Sequence, residues 1–232
     1  MPPRALEPAG VALVDKPAGP SSFAIVAQIR RMTGARTGHA GTLDPFATGL
    51  LLVLSGRATR IASSLVGLDK RYRTDVDLTA RTSTGDPEGE VVATHAAPDA
   101  AELEGRLARL RGEIELPIPA ASAVKIGGER AYRLARKGVE VEMPRRRSTV
   151  YALDVIAYMN GVATLELHVS SGTYVRAIAE ALGGHCRTLR RTAVGPFSVD
   201  DAVAPDAFEP RLLLREADVL ARVGRAQDEA RA

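Results

Sequence analysis

Apolar positions recur along the chain with two periods, and the places where the period changes mark element boundaries. Gly10-Val11-Ala12-Leu13-Val14-Asp15 predicts a short strand. Lys16 to Pro20, punctuated by Pro17, Gly19 and Pro20, predicts a turn. Ser21 or Ser22 then caps a helix whose stripe is Ile25, Ile29 and Met32 and whose stop is Gly34. Thr37 to Gly49 reads as a Gly-rich loop, Leu50 to Leu54 as a buried strand, and Gly56 to Val66 as a helix. Lys70 to Leu78 alternates strictly, with Tyr72, Thr74, Val76 and Leu78 on one face and Arg71, Arg73, Asp75 and Asp77 on the other.

Beyond a loop at Thr82 to Pro87, Gly89 to Ala93 predicts a strand, and Asp99 starts a helix striped by Leu103, Leu107 and Leu110 and ended by Gly112. Pro117 and Pro119 force an extended segment, and Glu129 to Lys137 reads as a short helix stopped by Gly138. Arg145 to Met159 is a long strand, and Asn160-Gly161 turns it into a second, Val162 to Ser170; Asn-Gly between two β-rich runs is the strongest hairpin signal in the chain. Thr173 is the expected cap of a helix reaching about Leu182, followed by a strand over Leu189 to Val194 and a last helix over Asp206 to Val223. The interleaving, with a hairpin inside it, predicts an α+β (mixed α/β) fold on a mostly antiparallel sheet; the rhythm of a doubly wound parallel sheet is not sustained.

Composition narrows the function classes. The 232 residues include one cysteine, Cys186, so no internal disulfide forms. His39, His95, His168 and His185 are scattered without metal-ligand spacing, so no metal site is expected. No apolar run reaches the roughly 18 residues of a membrane span, and no signal-peptide core follows Met1-Pro2-Pro3-Arg4, so a cytoplasmic protein is expected. The net charge of +3 is unevenly placed: residues from Asp200 onward carry −3, leaving +6 before them, a weak pointer to nucleic acid. Phosphate-loop, dinucleotide and serine-nucleophile motifs are missing.

Two segments hold residues able to do chemistry. In Gly38-His39-Ala40-Gly41-Thr42-Leu43-Asp44-Pro45-Phe46-Ala47-Thr48-Gly49, Asp44 either caps a one-turn helix with Pro45 at its first position or is a carboxylate nucleophile or base on a rigid loop. His39 is a loop hydrogen-bonder or a contact to a base or phosphate. In Ser171-Gly172-Thr173-Tyr174-Val175-Arg176, a cap at Thr173 puts Arg176 at the third helical position, where a cation opposes the helix dipole and calls for a carboxylate partner. Tyr72 is a core tyrosine or lines a basic cleft. The clusters Arg30-Arg31, Arg145-Arg146-Arg147 and Arg187/Arg190/Arg191, and the basic stretch Arg133, Arg136 and Lys137, are solvated faces or phosphate contacts.

Together these residues resemble the TruB family of tRNA pseudouridine-55 synthases. The matching segments are Val14 to Ser22, the Gly38 to Gly49 loop, Asp69-Lys70-Arg71-Tyr72, Thr84-Gly85-Asp86-Pro87-Glu88-Gly89, Ser122-Ala123-Val124-Lys125, Ala131 to Gly138, Ser171 to Arg176, Leu189-Arg190-Arg191 and Gly195-Pro196-Phe197. They run in family order over about residues 10–197, and G-H-x-G-T-L-D-P with G-T-Y-V-R is the specific pair.

The resemblance implies the pseudouridine-synthase fold, a mostly antiparallel sheet with helices around a cleft. It implies isomerisation of uridine 55 in the T-loop of tRNA by flipping the base, without cofactor or metal. Asp44 matches the catalytic aspartate, Tyr72 the tyrosine stacked on the uracil, and Arg176 the arginine paired with the aspartate. Tyr174 and Leu189 match residues packed around the uracil, and His39 a histidine holding the RNA loop. Lys16, Arg145 and Arg146 are expected substrate contacts. The implied layout is a flexible residue 1–9 segment, a catalytic domain over 10–199 with an insertion at about 121–147 gripping the tRNA T-stem loop, and a short helical segment over 200–232. A monomer without an obligatory protein partner is expected.

Two departures stand out: Pro117-Ile118-Pro119-Ala120-Ala121 lacks the family's aromatic, and the 35 residues after Phe197 are too few for the RNA-binding PUA domain of longer members. Three rivals remain. A non-catalytic RNA-binding module needs no Asp44 with Arg176. Synthases acting on ribosomal RNA carry arginine where this chain has Thr42. A guide-RNA-dependent synthase normally carries the PUA domain.

Overall fold

The computed structural model describes residues 8–122, 124–131 and 142–229. In chain order the elements are β1 (Gly10–Lys16), α1 (Ser22–Thr33), β2 (Thr37–His39), β3 (Thr48–Ser55), α2 (Ala62–Val66), β4 (Lys70–Asp77), β5 (Ala80–Thr82), β6 (Val91–Thr94) and α3 (Ala100–Ala108). There follow β7 (Gly112–Pro117), β8 (Lys125–Ile126), β9 (Glu129–Arg130), β10 (Arg145–Met159), β11 (Val162–Val169), α4 (Val175–Ala181), β12 (His185–Val194), β13 (Phe197–Ser198) and α5 (Glu216–Glu229). The chain divides into two compact units, the first up to Tyr72 and from Arg190 onward, the second Arg73–Leu189.

In the first unit β1 and β3 pair antiparallel from Gly10↔Ser55 to Lys16↔Gly49. β2 joins β3 antiparallel, and the end of β12 runs parallel to it, Arg190↔Thr48 and Arg191↔Gly49. The run Leu50 to Leu54 is apolar throughout because β3 is buried on both faces. Leu50, Leu52 and Leu54 pack with Val11, Leu13 and Phe197; Leu51 and Val53 pack with Ile25, Val26 and Ile29 of α1. Ser21 caps α1 by accepting from the Ala24 amide, and Gly34 ends it in the left-handed region. The buried stripe is Ser22, Ile25, Val26, Ile29 and Thr33, so the expected Met32 faces solvent instead. Gly56 to Val66 is helical as expected, but its first turn, Gly56–Ile61, is a 3-10 helix.

The C-terminal segment corrects the expected helix over Asp206 to Val223, which begins only at Glu216. The stretch before it lies along β1. Val203 bridges Val14 and Leu214 bridges Val11, the Val11 and Leu214 amides each donating to the other's carbonyl at 2.9 Å. An edge strand with free backbone groups recruits this pairing. Phe208 plugs the α1 side of the core, and Val219 and Val223 of α5 seal the other.

In the second unit the sheet order is β12-β4-β11-β10-β7. β4 is as regular as its sequence, with Tyr72, Thr74 and Val76 buried and Arg71 and Arg73 exposed. The β10–β11 hairpin turns at Asn160-Gly161, both at positive φ (51° and 77°), as a two-residue hairpin turn requires. Asp99 caps α3, accepting from the Glu102 amide at 2.8 Å. Three expectations change. The expected strand over Leu189 to Val194 starts earlier, at His185, burying Cys186. The cap of α4 is Tyr174, not Thr173, whose hydroxyl donates to the Ser170 carbonyl at 2.9 Å. At the expected Glu129–Lys137 helix, Glu129 and Arg130 form β9, paired with β8. Residues 132–141, which hold the rest of that expected helix from Tyr132 on with Arg133, Arg136 and Lys137, lie outside the described residues, as do Ala123, residues 1–7 and residues 230–232.

Candidate active site

The Asp44 loop belongs to the first unit and is held by side chains from three elements. The Lys16 ammonium, at the end of β1, is fully buried and donates to the carbonyls of Pro17 (2.8 Å), Pro45 (3.1 Å) and Ala47 (2.7 Å). Ser22, in the first turn of α1, closes a reciprocal pair with Leu43: its hydroxyl donates to the Leu43 carbonyl and accepts from the Leu43 amide, both at 2.9 Å. Arg191, 1% exposed on β12, donates to the carbonyls of Leu50 (2.7 Å), Thr42 (3.3 Å) and Gly41 (3.1 Å). Gly49 closes the loop at φ 102°, where a Cβ would strike the Arg191 backbone. Lysine and arginine are rarely buried, and here each satisfies a cluster of backbone carbonyls that turn away from regular pairing.

Asp44 is half-buried, and its carbonyl accepts from the Ala47 amide at 3.2 Å. That bond makes a single turn rather than the one-turn helix considered as one explanation of the Asp-Pro pair. His39, at the end of β2, is half-buried and lies edge-on to Phe23, with ring centroids 5.2 Å apart. Burial first, and the charge of Arg191 second, hold its pKa below the usual histidine value. Its Nδ1 is buried without a hydrogen-bond partner among the described residues. Tyr72 is buried on β4. Two residues before it, the buried Lys70 donates to the Val66 carbonyl at 2.7 Å and to that of Leu68. Burial and the repulsion of Arg191 bring its pKa down to about 8, against a small upward pull from Asp69.

Arg176 belongs to the second unit. With Tyr174 as cap it sits at the second helical position of α4, 2% exposed. It donates to the carbonyls of Thr84 (2.7 Å) and Ala121 (2.8 Å) and pairs with the buried Asp86 carboxylate at 3.3 Å. Asp86 also accepts from the Thr84 hydroxyl (2.5 Å) and the Glu88 amide (3.1 Å). The carboxylate that a cation in the first turn of a helix calls for is therefore supplied within this unit. Glu180, one turn on, has its pKa raised by burial and by Asp86, against the opposing pull of Arg176 and Arg81. Leu189 is buried. Half-buried Tyr174 lines a small cleft with Thr173, Leu116, Pro117 and Arg146. Arg145 and Arg146 are exposed at the start of β10; Arg145 donates to the Glu115 carbonyl, and Arg146 lies over Gly172, where a Cβ would collide with it.

The expected residues thus fall into two constellations. His39, Asp44, Tyr72 and Lys16 are in the first unit, and Tyr174, Arg176, Leu189, Arg145 and Arg146 are in the second. Lys16, expected as a substrate contact, is fully buried and braces the Asp44 loop. Arg191, grouped with phosphate contacts, is likewise buried. Arg190, its neighbour, pairs with Asp15 at 2.8 Å. The sequence reading assigns no role to Asp86 and gives Ser22 only as an alternative cap of α1, a place Ser21 takes. Asp86 was signalled by the unmet need of a cation at a helix start, and Arg191 by falling on the same strand face as Leu189.

An architecture of this kind, a largely antiparallel sheet with helices packed on it, is that of the pseudouridine synthases. The chain superposes on a solved chain of a Cbf5-Nop10-Gar1 complex with a TM-score of 0.70 at 24% identity, covering 92% of this chain and 62% of that one. A family model described as TruB family pseudouridylate synthase (N terminal domain) matches residues 30–175. The tRNA pseudouridine synthase B of Mycobacterium sp. (strain KMS) is 44% identical over 218 residues, covering 88% of this chain and 73% of that protein. That of Corynebacterium jeikeium (strain K411) is 42% identical over 237 residues, covering 94% and 77%. The chain belongs to the TruB family of pseudouridylate synthases.

Proposed function

We propose that this protein converts uridine to pseudouridine in tRNA, at position 55 of the T-loop. The observation that carries the reading is the Asp44 loop. A half-exposed carboxylate rides on backbone fixed by three buried side chains, in a chain 44% identical to a tRNA pseudouridine synthase B. Preorganisation of this kind is what a catalytic group requires.

The reaction breaks the C1′–N1 glycosidic bond and forms a C1′–C5 bond. The C5 hydrogen leaves as a proton and N1 gains one, so reactant and product are isomers and the balance calls for no cofactor. The target lies inside a folded RNA loop, so its base must swing out, at a cost of a few kcal/mol offset by stacking and apolar contact. In this reading Asp44 is the carboxylate at the sugar–base junction, acting as nucleophile or base. Tyr72 stacks on the uracil, and Tyr174 and Leu189 pack around it. Arg176, oriented by Asp86, is the cation that keeps the catalytic carboxylate ionised. His39, whose pKa burial and Arg191 lower, holds the opened loop, and Arg145 and Arg146 contact its phosphates. The insertion at about 121–147 grips the T-stem, within a catalytic domain over 10–199, and the enzyme works as a monomer in the compartment that holds tRNA.

The test is incubation with unmodified tRNA transcript followed by mapping of pseudouridine along the strand. A single new pseudouridine at position 55 supports the reading. Product at another position, or in ribosomal RNA alone, replaces it with a different specificity, and RNA binding without product leaves a non-catalytic module.

A further inference from the structure

Between Asp15 and Asp69 the chain contains one acid, Asp44, and five exposed arginines: Arg30, Arg31, Arg36, Arg57 and Arg60. The fold gathers all five around the C-terminal end of α1. Arg30 and Arg31 occupy its last turn, and Gly34 reverses the chain there, its amide bonded to the Arg30 carbonyl at 2.9 Å. Arg36 follows at once, and its carbonyl accepts from the Gly56 amide at 2.7 Å, which brings Arg57 beside it. Arg57 and Arg60 are three apart in a 3-10 helix, where positions i and i+3 lie over one another.

A helix C-terminus favours cations, which explains Arg30 and Arg31 but not the three arginines off the helix. Four arginines elsewhere pair with carboxylates: Arg106 with Glu102, Arg111 with Glu104, Arg211 with Glu209 and Arg215 with Asp218. Among the described residues none of the five around α1 makes a side-chain hydrogen bond or ion pair. Five cations this close repel one another, and the missing counter-charge points to an anionic partner. The same outer face of α1 runs back through Ala27 to Phe23, seven residues before Arg30, which is 65% exposed and edge-on to His39. The twelve residues of α1 span about 18 Å. An exposed aromatic at one end of a cationic track is suited to nucleic acid rather than to a lipid surface.

We propose that this face, from Phe23 to the five arginines, is a track for the sugar-phosphate backbone of the substrate RNA outside the target loop. The inference rests on the reading of the substrate as RNA, and it adds a contact surface that acts through charge without reading sequence.

The test is binding of unmodified tRNA transcript across a salt series. Wild type is compared with the variant Arg30→Gln, Arg31→Gln, Arg36→Gln, Arg57→Gln, Arg60→Gln. A control removes four arginines elsewhere: Arg211→Gln, Arg215→Gln, Arg222→Gln, Arg225→Gln. Each phosphate contact contributes roughly 0.7–0.9 to the log–log salt slope. The five-fold variant should lose about 3.5–4.5 from that slope and bind at least about tenfold more weakly at moderate salt, while the control loses less than about 1. If the five-fold variant melts below wild type, Arg57→Gln with Arg60→Gln alone should still lose about 1–2. Unchanged slope and affinity, an equal loss in the control, or a loss confined to phosphatidylserine vesicles overturns the proposal. Pseudouridine mapping on the same wild-type sample separates the two claims. Binding that depends on the arginines without any product removes the enzymatic reading and keeps the track, whereas product with arginine-independent binding does the reverse.

Discussion

Replacing Ser22 by alanine removes one oxygen atom and tests whether the Asp44 loop is held as described. Ser22 is 1% exposed and its hydroxyl serves both the amide and the carbonyl of Leu43, the residue before Asp44. Without it, both backbone groups lose their partner in a buried setting, at roughly 1–3 kcal/mol each. Alanine is the better helix former, which returns about 0.5 kcal/mol, and Ser21 remains as the cap. The net loss is about 1.5–5.5 kcal/mol. For a chain of this size a melting temperature falls roughly 2–4 °C per kcal/mol, so a decrease of about 3–22 °C is expected. Because the freed segment carries Asp44, single-turnover pseudouridine formation should slow on the order of 10–100-fold, although Ser22 itself touches no substrate in this account. Thermal melting by circular dichroism and a quenched time course on unmodified tRNA measure both. A variant that melts and turns over like wild type would refute the idea that this hydroxyl positions the catalytic loop.

Two other buried groups carry their own predictions. Asp86→Asn keeps an acceptor for the Thr84 hydroxyl and the Glu88 amide but removes the carboxylate charge paired with the buried Arg176, and should cost about 3–5 kcal/mol; a urea midpoint equal to wild type would contradict the pairing. Lys70 has a folded pKa near 8 against an ordinary 10.5, so between those pH values the unfolded chain binds more protons and stability rises with pH. The rise is at most about 3 kcal/mol. Lys70→Met should remove it, as urea midpoints from pH 7.5 to 10.5 will read; an unchanged rise in the variant assigns the effect elsewhere.

What the sequence disclosed, and what it withheld, follows from the kind of interaction involved. Periodicity was enough for α1, β3, β4 and the β10–β11 hairpin, because apolar side chains must face a core and Asn160-Gly161 meets a turn's demand for positive φ. The segment before α5 departs from the expected helix because its lining of β1 comes from backbone pairing of Val203 and Leu214, which leaves no periodic trace. Lys16 and Arg191 look like surface cations in sequence, since their partners are carbonyls that any residue supplies. The need of Arg176 for a carboxylate was legible from its place at a helix start, but only three dimensions identify Asp86, ninety residues earlier, within its unit. The arginine track was half visible, as Arg30-Arg31; folding adds Arg36, Arg57 and Arg60 to it.

The central claim is that the carboxylate of Asp44 does the chemistry, and Asp44→Asn tests it with the least disturbance to shape. Tritium release from tRNA labelled at C5 of uridine counts each proton lost from C5, alongside filter binding of the same RNA. The account predicts wild-type affinity with no release above background. Release at a substantial fraction of the wild-type rate, from a variant whose sequence is verified, would contradict it.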